Sequence, residues 1–147
     1  MRRLCGTWNV VLSTRWVYTP TGCSISPHCD SRNKVASHLF YMNDERDWDL
    51  AWGGETLFFE TDRQISLSSA PEFSDFQCHT ATQMLGNRSL FFTRTHRSWH
   101  GVEPLRCPEG AYREVFIVVV RGNGPLTLAS RWVLRKPPLL ESAMAAP

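Results

Sequence analysis

Short apolar runs separated by turn-forming residues recur along the chain. "TWNVVL" (7–12), "RWVY" (15–18), "KVASHLFYM" (34–42), "ETLFFE" (55–60), "RSLFF" (88–92) and "REVFIVVV" (113–120) alternate with "TPTG" (19–22), "NDERDWD" (43–49), "GG" (53–54), "GN" (86–87) and "CPEG" (107–110). Most runs are too short for helices, and several are rich in β-branched or aromatic side chains that suit a pleated surface. The breaks carry the Gly, Pro, Asn and Asp residues that turns require. This rhythm predicts an all-β domain of sandwich or jelly-roll type. Two stretches lack a period. Residues 61–86 are expected to form a long connection near a substrate. Residues 137–147, rich in Pro and Ala, are expected to be a disordered tail, leaving 1–136 as one folded domain.

Composition narrows the class. A chain of 147 residues with 42% hydrophobic and 20% charged content is an ordinary globular domain, large enough to bury a core. A net charge of +2 argues against nucleic acid as the partner. The longest aliphatic and aromatic run, "VFIVVV" at 115–120, is far too short to cross a bilayer, so no membrane partner is expected. The N-terminus has two arginines but no long apolar region or cleavage site, and it does not read as a signal peptide. The five cysteines form no C-x-x-C pair, which removes zinc ribbons and thioredoxin-type motifs. They read as free thiols in a reducing cytoplasm.

Candidate chemistry sits in "GCSISPHCDS" (22–31), where His28 and Asp30 are two apart and would share one face of a strand. Such a pair alone is more often a surface turn than a metal site. His100, in "TRTHRSWHGVEPL", follows the apolar run at 88–92 and supplies a third ligand. Two histidines and one carboxylate on a face of a non-haem Fe(II) ion leave three positions open. A 2-oxo acid can chelate at two of them and O2 can use the third. The far carboxylate of such an acid needs a cation, and Arg113 opens the last apolar run. Cys29 should face away from the metal. His96 is expected outside the ligand set, because a helix is not expected where it would make H-x-x-x-H with His100. Gly53 and Gly54 are expected in a close turn or bulge. Trp99 either packs behind the ligand or borders the substrate mouth. Arg94 and Arg97 either solvate a loop or meet the substrate.

The ordered set "VYTPTG", "HCD", "HLFYMN", "DWD", "WGGETLFF", "NRSLFFTRTHRSWHGV" and "YREVFIVVV" covers roughly residues 15–122. It resembles the Fe(II)- and 2-oxoglutarate-dependent dioxygenases, particularly the prolyl-hydroxylase branch and bacterial relatives of the hypoxia-sensing prolyl hydroxylases. The resemblance implies a double-stranded β-helix, a cupin-like barrel, here minimal or N-terminally shortened. It implies His28, Asp30 and His100 as iron ligands and Arg113 as the clamp on 2-oxoglutarate. Tyr41 corresponds to a tyrosine on the same carboxylate, and Tyr18 to one lining the pocket near the iron. Ser37 shares a strand face with Tyr41 where relatives carry a small hydroxyl residue.

Two departures stand out. The His100–Arg113 spacing is longer than is usual in this branch, and the hairpin tip at 106–110 is expected to absorb the excess outside the barrel. Ile117 stands where some relatives have a threonine. The implied activity is hydroxylation of an unactivated C–H bond in a peptide, protein or small molecule, with Fe(II), 2-oxoglutarate and O2. Two other readings stay open: a barrel serving as a non-catalytic binding module, and a cupin-like metal protein that does not use 2-oxoglutarate.

Overall fold

A computed structural model describes residues 10–122. Eight strands run in order: β1 (Val10–Thr19), β2 (Ile25–His28), β3 (Lys34–Tyr41), β4 (Leu57–Glu60), β5 (Cys78–Ala81), β6 (Ser89–Thr93), β7 (His100–Val102) and β8 (Arg113–Gly122). They form two antiparallel four-stranded sheets, ordered β1-β8-β3-β6 and β2-β7-β4-β5. This arrangement is a jelly roll, the double-stranded β-helix. Among the described residues the only helical pieces are single 3-10 turns at Leu50–Trp52 and Phe73–Asp75. None is long and apolar enough to cross a membrane.

Strand alternation decides which side chains meet. On β8, Arg113, Val115 and Val119 are buried while Glu114, Phe116 and Val118 are only partly covered, so the odd positions face the interior. The main core joins Tyr41, Trp48, Met84, Leu105 and Val115. A second cluster of Leu57, Phe59 and Trp99 lies on the other side of the β2-β7-β4-β5 sheet, covered by Ile65, Phe73 and Phe76. The connection at 61–86 is therefore chiefly a lid over that sheet's outer face. It also carries β5, which the sequence pattern did not show. The outer face of the β1-β8-β3-β6 sheet is barer, with Leu12, Trp16, Tyr18 and Phe91 all more than half exposed.

Several predicted boundaries shift. Residues 10–12 of the first run and the run at 15–18 merge into β1, since the intervening Ser13 and Thr14 pair with β8 like their neighbours. The segment between β7 and β8 is not simply an external tip. Leu105 and Cys107 are buried, and Leu105 exchanges backbone hydrogen bonds with Gly22 and Cys23. Within 106–110, Arg106, Pro108, Glu109 and Gly110 are exposed and Cys107 alone is buried. Gly53 and Gly54 take φ of 80° and 105°, as a close turn requires. The expected tail at 137–147 lies outside the described residues.

Candidate metal centre

His28 ends β2 and His100 begins β7, and the two are register partners with ring centroids 4.4 Å apart. Asp30 follows two residues after His28, with 5% of its surface exposed. One ligand atom from each of these three side chains lies within 4.8 Å of the other two. The donor set fits a divalent metal.

The tautomers fit as well. Nδ1 of His28 is 3.0 Å from the carbonyl oxygen of Ser26, and Nδ1 of His100 is 2.9 Å from that of Ser98. A carbonyl can only accept, so both Nδ1 atoms carry the proton and both Nε2 atoms keep a lone pair for a metal. Each ring is anchored to the carbonyl two residues before it, that of Ser26 within β2 for His28 and that of Ser98 just before β7 for His100. His100 is further fixed by Phe58 and Phe92, with ring centroids 5.9 and 4.7 Å away. Burial pushes its pKa down, with the Ser98 carbonyl working the other way, so the neutral ligand form is favoured.

Both oxygens of Asp30 are engaged. Lys34 forms an ion pair with Oδ1, and the Ser37 hydroxyl donates to Oδ2 at 3.0 Å. Burial works against the carboxylate charge, but the hydrogen bond and charge of Lys34, with His100 and Ser37, hold the carboxyl below its ordinary value. Nε of Arg94 donates to the backbone carbonyl of Asp30 at 3.2 Å, which fixes the turn that presents the ligand. Gly101, beside His100, has no room for a side chain: a Cβ there would lie 2.6 Å from the Ile25 carbonyl oxygen.

A cavity of about 140 Å³ runs inward from the triad between the sheets, with Leu39, Ile117 and Val119 on its apolar wall. Arg113 closes its far end with 2% exposure. Nε donates to the Gly54 carbonyl at 2.6 Å and Nη2 to the Thr56 hydroxyl at 3.3 Å. Both partners are neutral, and among the described residues no hydrogen-bond partner takes the other three of the five guanidinium N–H groups. Burial lowers the Arg113 pKa, offset in part by Tyr41 and Glu55, and a guanidinium keeps its charge even so. The Tyr41 ring lies 5.6 Å from the Arg113 Cζ. Four larger depressions, of about 590, 660, 160 and 310 Å³, contain no triad residue. The ligand chemistry, not the volume, marks the site.

The structure gathers His28, Asp30, His100, Ser37 and Arg113 around one cavity. It places the other two expected residues differently. Tyr18 stands on the outer face of β1, 56% exposed and stacked on Trp16, because the odd positions Arg15 and Val17 take the cavity side. Tyr41 is buried one layer behind the cavity, donating to the Thr56 hydroxyl at 2.8 Å. It reaches the site through Thr56 and Arg113. Ser37 faces inward as its strand phase required, but its hydroxyl serves Asp30. Cys29 points away and packs on the second cluster, where burial raises its thiol pKa. Trp99 packs in the same cluster, on the side opposite His100. His96 and Arg97 line the 590 Å³ groove outside the barrel. Sequence reasoning missed Thr56, Gly54 and Lys34. The "GGET" stretch and a lysine four positions after Asp30 were the available signals.

The comparisons with known proteins agree with this geometry. The profile of the 2OG-Fe(II) oxygenase superfamily matches residues 14–119, well over half of the chain. Among solved structures, the fold is similar to a prolyl-4-hydroxylase from Pseudomonas putida, with a TM-score of 0.55 and 18% identity. That alignment covers 77% of this chain and 53% of the other, so the chain spans about half the length of that structure. No curated protein matches detectably.

Proposed function

The chain belongs to the 2OG-Fe(II) oxygenase superfamily, and from that premise we propose that it hydroxylates an unactivated C–H bond, that of a prolyl residue in a cytoplasmic peptide or protein. The observation that carries the reading is a single cavity with a His-Asp-His donor set at one end and, at the other, a buried guanidinium whose hydrogen-bond partners among the described residues are both neutral. His28, Asp30 and His100 would hold Fe(II), and Arg113 would hold the far carboxylate of 2-oxoglutarate. When bound, the pair supplies oxidative decarboxylation with O2, yielding succinate, carbon dioxide and one oxygen atom for the substrate.

The protein's own residues supply the rest. Arg113 offers its free N–H groups in a planar fork suited to a carboxylate. The Thr56 hydroxyl, which receives hydrogen bonds from both Tyr41 and Arg113, orients the guanidinium. Leu39, Ile117 and Val119 exclude water along the cavity and so strengthen the charge contacts at both ends. A cavity of about 140 Å³ suits a small diacid, so a peptide would approach at the mouth. Support for a prolyl substrate comes from the motif resemblance and from the prolyl-4-hydroxylase with a similar fold. Support for a cytoplasmic setting comes from the free thiols of Cys23, Cys29 and Cys107.

The test begins without oxygen: Fe(II) and 2-oxoglutarate should together give the visible charge-transfer band of the chelate. Admitting O2 with prolyl peptides should then yield succinate and a peptide heavier by one oxygen atom. Absence of the band would overturn the oxygenase reading. A band with no succinate from any peptide or free amino acid would favour a non-catalytic module, and succinate only with a non-prolyl substrate would overturn the prolyl assignment.

A further inference from the structure

We propose that Lys34 is an internal counter-ion that a metal must displace from Asp30, so that loading the centre exchanges one cation for another and Lys34 sets the affinity. The inference rests on the triad being a metal site and is independent of which substrate the enzyme takes.

Among the described residues Asp30 is the only carboxylate around the cavity, and Lys34 lies directly on its Oδ1. The two differ in freedom. Asp30 is held by the Ser37 hydroxyl and by the turn that Arg94 fixes, whereas the Lys34 side chain is 19% exposed on a flexible four-carbon stem. A small divalent ion binds a carboxylate oxygen at roughly 2 Å. An ammonium on the same carboxylate would then stand within a few ångströms of the ion, largely shielded from water, where like charges repel strongly. Ser37 is neutral and can stay, so the lysine is the group that gives way. It starts the exchange from an ion pair that matches the buried charge of Asp30.

A purely structural lysine would support the site, and its loss would weaken metal binding. A competing lysine predicts the opposite sign. The test uses the full chain, stripped of metal and kept anaerobic, titrated with Mn(II) by electron paramagnetic resonance and with Fe(II) by calorimetry. Lys34→Met should tighten both metals by about tenfold or more, since it removes both the competitor and the repulsion. Lys34→Arg should stay near wild type, and Lys34→Gln should behave like Lys34→Met, which keeps the test available if the methionine variant folds poorly. Unchanged or weaker binding in folded Lys34→Met and Lys34→Gln overturns the proposal. No binding by wild type or any variant overturns the metal reading as well, whereas binding gained only on neutralising Lys34 is its strongest support. None of these readouts depends on turnover, so a missing substrate affects only the functional reading.

Discussion

At the outer end of the cavity His28, Asp30 and His100 make their side-chain hydrogen bonds to residues near in sequence. His28 and His100 each rest on a carbonyl two residues back, and Asp30 is held by residues four and seven positions on. At the inner end, Arg113 is held by residues 57 and 59 positions away, in a core shared with Tyr41 and Met84. The outer end should therefore lose function without losing the fold, while the inner end couples binding to stability.

The largest expected contrast comes from deleting one side chain at each end. His100→Ala should abolish stoichiometric Fe(II) binding in equilibrium dialysis while the metal-free protein still unfolds cooperatively; retained tight iron would mean the third ligand lies elsewhere. Arg113→Ala should keep the metal but weaken 2-oxoglutarate by on the order of a hundredfold, with the charge-transfer band regained at high concentration. It should also lower the melting temperature, because the Gly54 carbonyl and Thr56 lose their buried donor.

Two glycines sharpen the same contrast. A Cβ at Gly54, where φ is 105°, would meet the Met84 Sδ at 2.9 Å and the Arg113 Cδ at 3.2 Å. Gly54→Ala should cost about 1–3 kcal/mol in denaturant unfolding and weaken 2-oxoglutarate more than metal. Gly101→Ala, pressed against the Ile25 carbonyl oxygen, should disturb the β2–β7 pairing and weaken metal first. Equal effects on both ligands from either substitution would show that the two ends are not separable.

A smaller effect is expected in acid. The Asp30 carboxyl is held below its ordinary value, so it stabilises the metal-free fold fully above about pH 4, and that contribution is lost as pH falls through the depressed value. Asp30→Asn should flatten this part of the stability–pH curve, and an unchanged acid limb would remove Asp30 from the account. The smallest effect belongs to Tyr18→Ala: on the outer face of β1, it should leave 2-oxoglutarate affinity within about twofold of wild type.

The strands with strong apolar patterns were legible, and so was a His-Asp-His set that shares a cavity with Arg113, because residue chemistry and order are properties of the sequence. The strands β2, β5 and β7 were not. Their segments "ISPH", "CHTA" and "HGV" are three or four residues long, and pairing with neighbours rather than intrinsic preference makes them strands. Tyr18 was misplaced because correspondence with relatives outweighed strand phase, which already put it opposite Val17. Ser37 was placed on the correct face, but which oxygen its hydroxyl serves depends on how the Asp30 turn folds back. Thr56 escaped notice because one hydroxyl in "GGETLFF" gives no hint of two partners, Tyr41 and Arg113, from distant strands.

The pairing of β1 with β8, Val10 opposite Gly122, has a consequence for synthesis. Among the described strands β1 has no neighbour in its sheet other than β8, the last of them to be made. While the chain emerges from the ribosome, the apolar side chains of β1 must wait for partners about a hundred residues behind, from Tyr18 opposite Glu114 to Val10 opposite Gly122. Contacts so distant in sequence slow folding and leave a nascent edge open to aggregation. Yield in a heterologous host should therefore depend more on translation rate, temperature and chaperone supply than on iron.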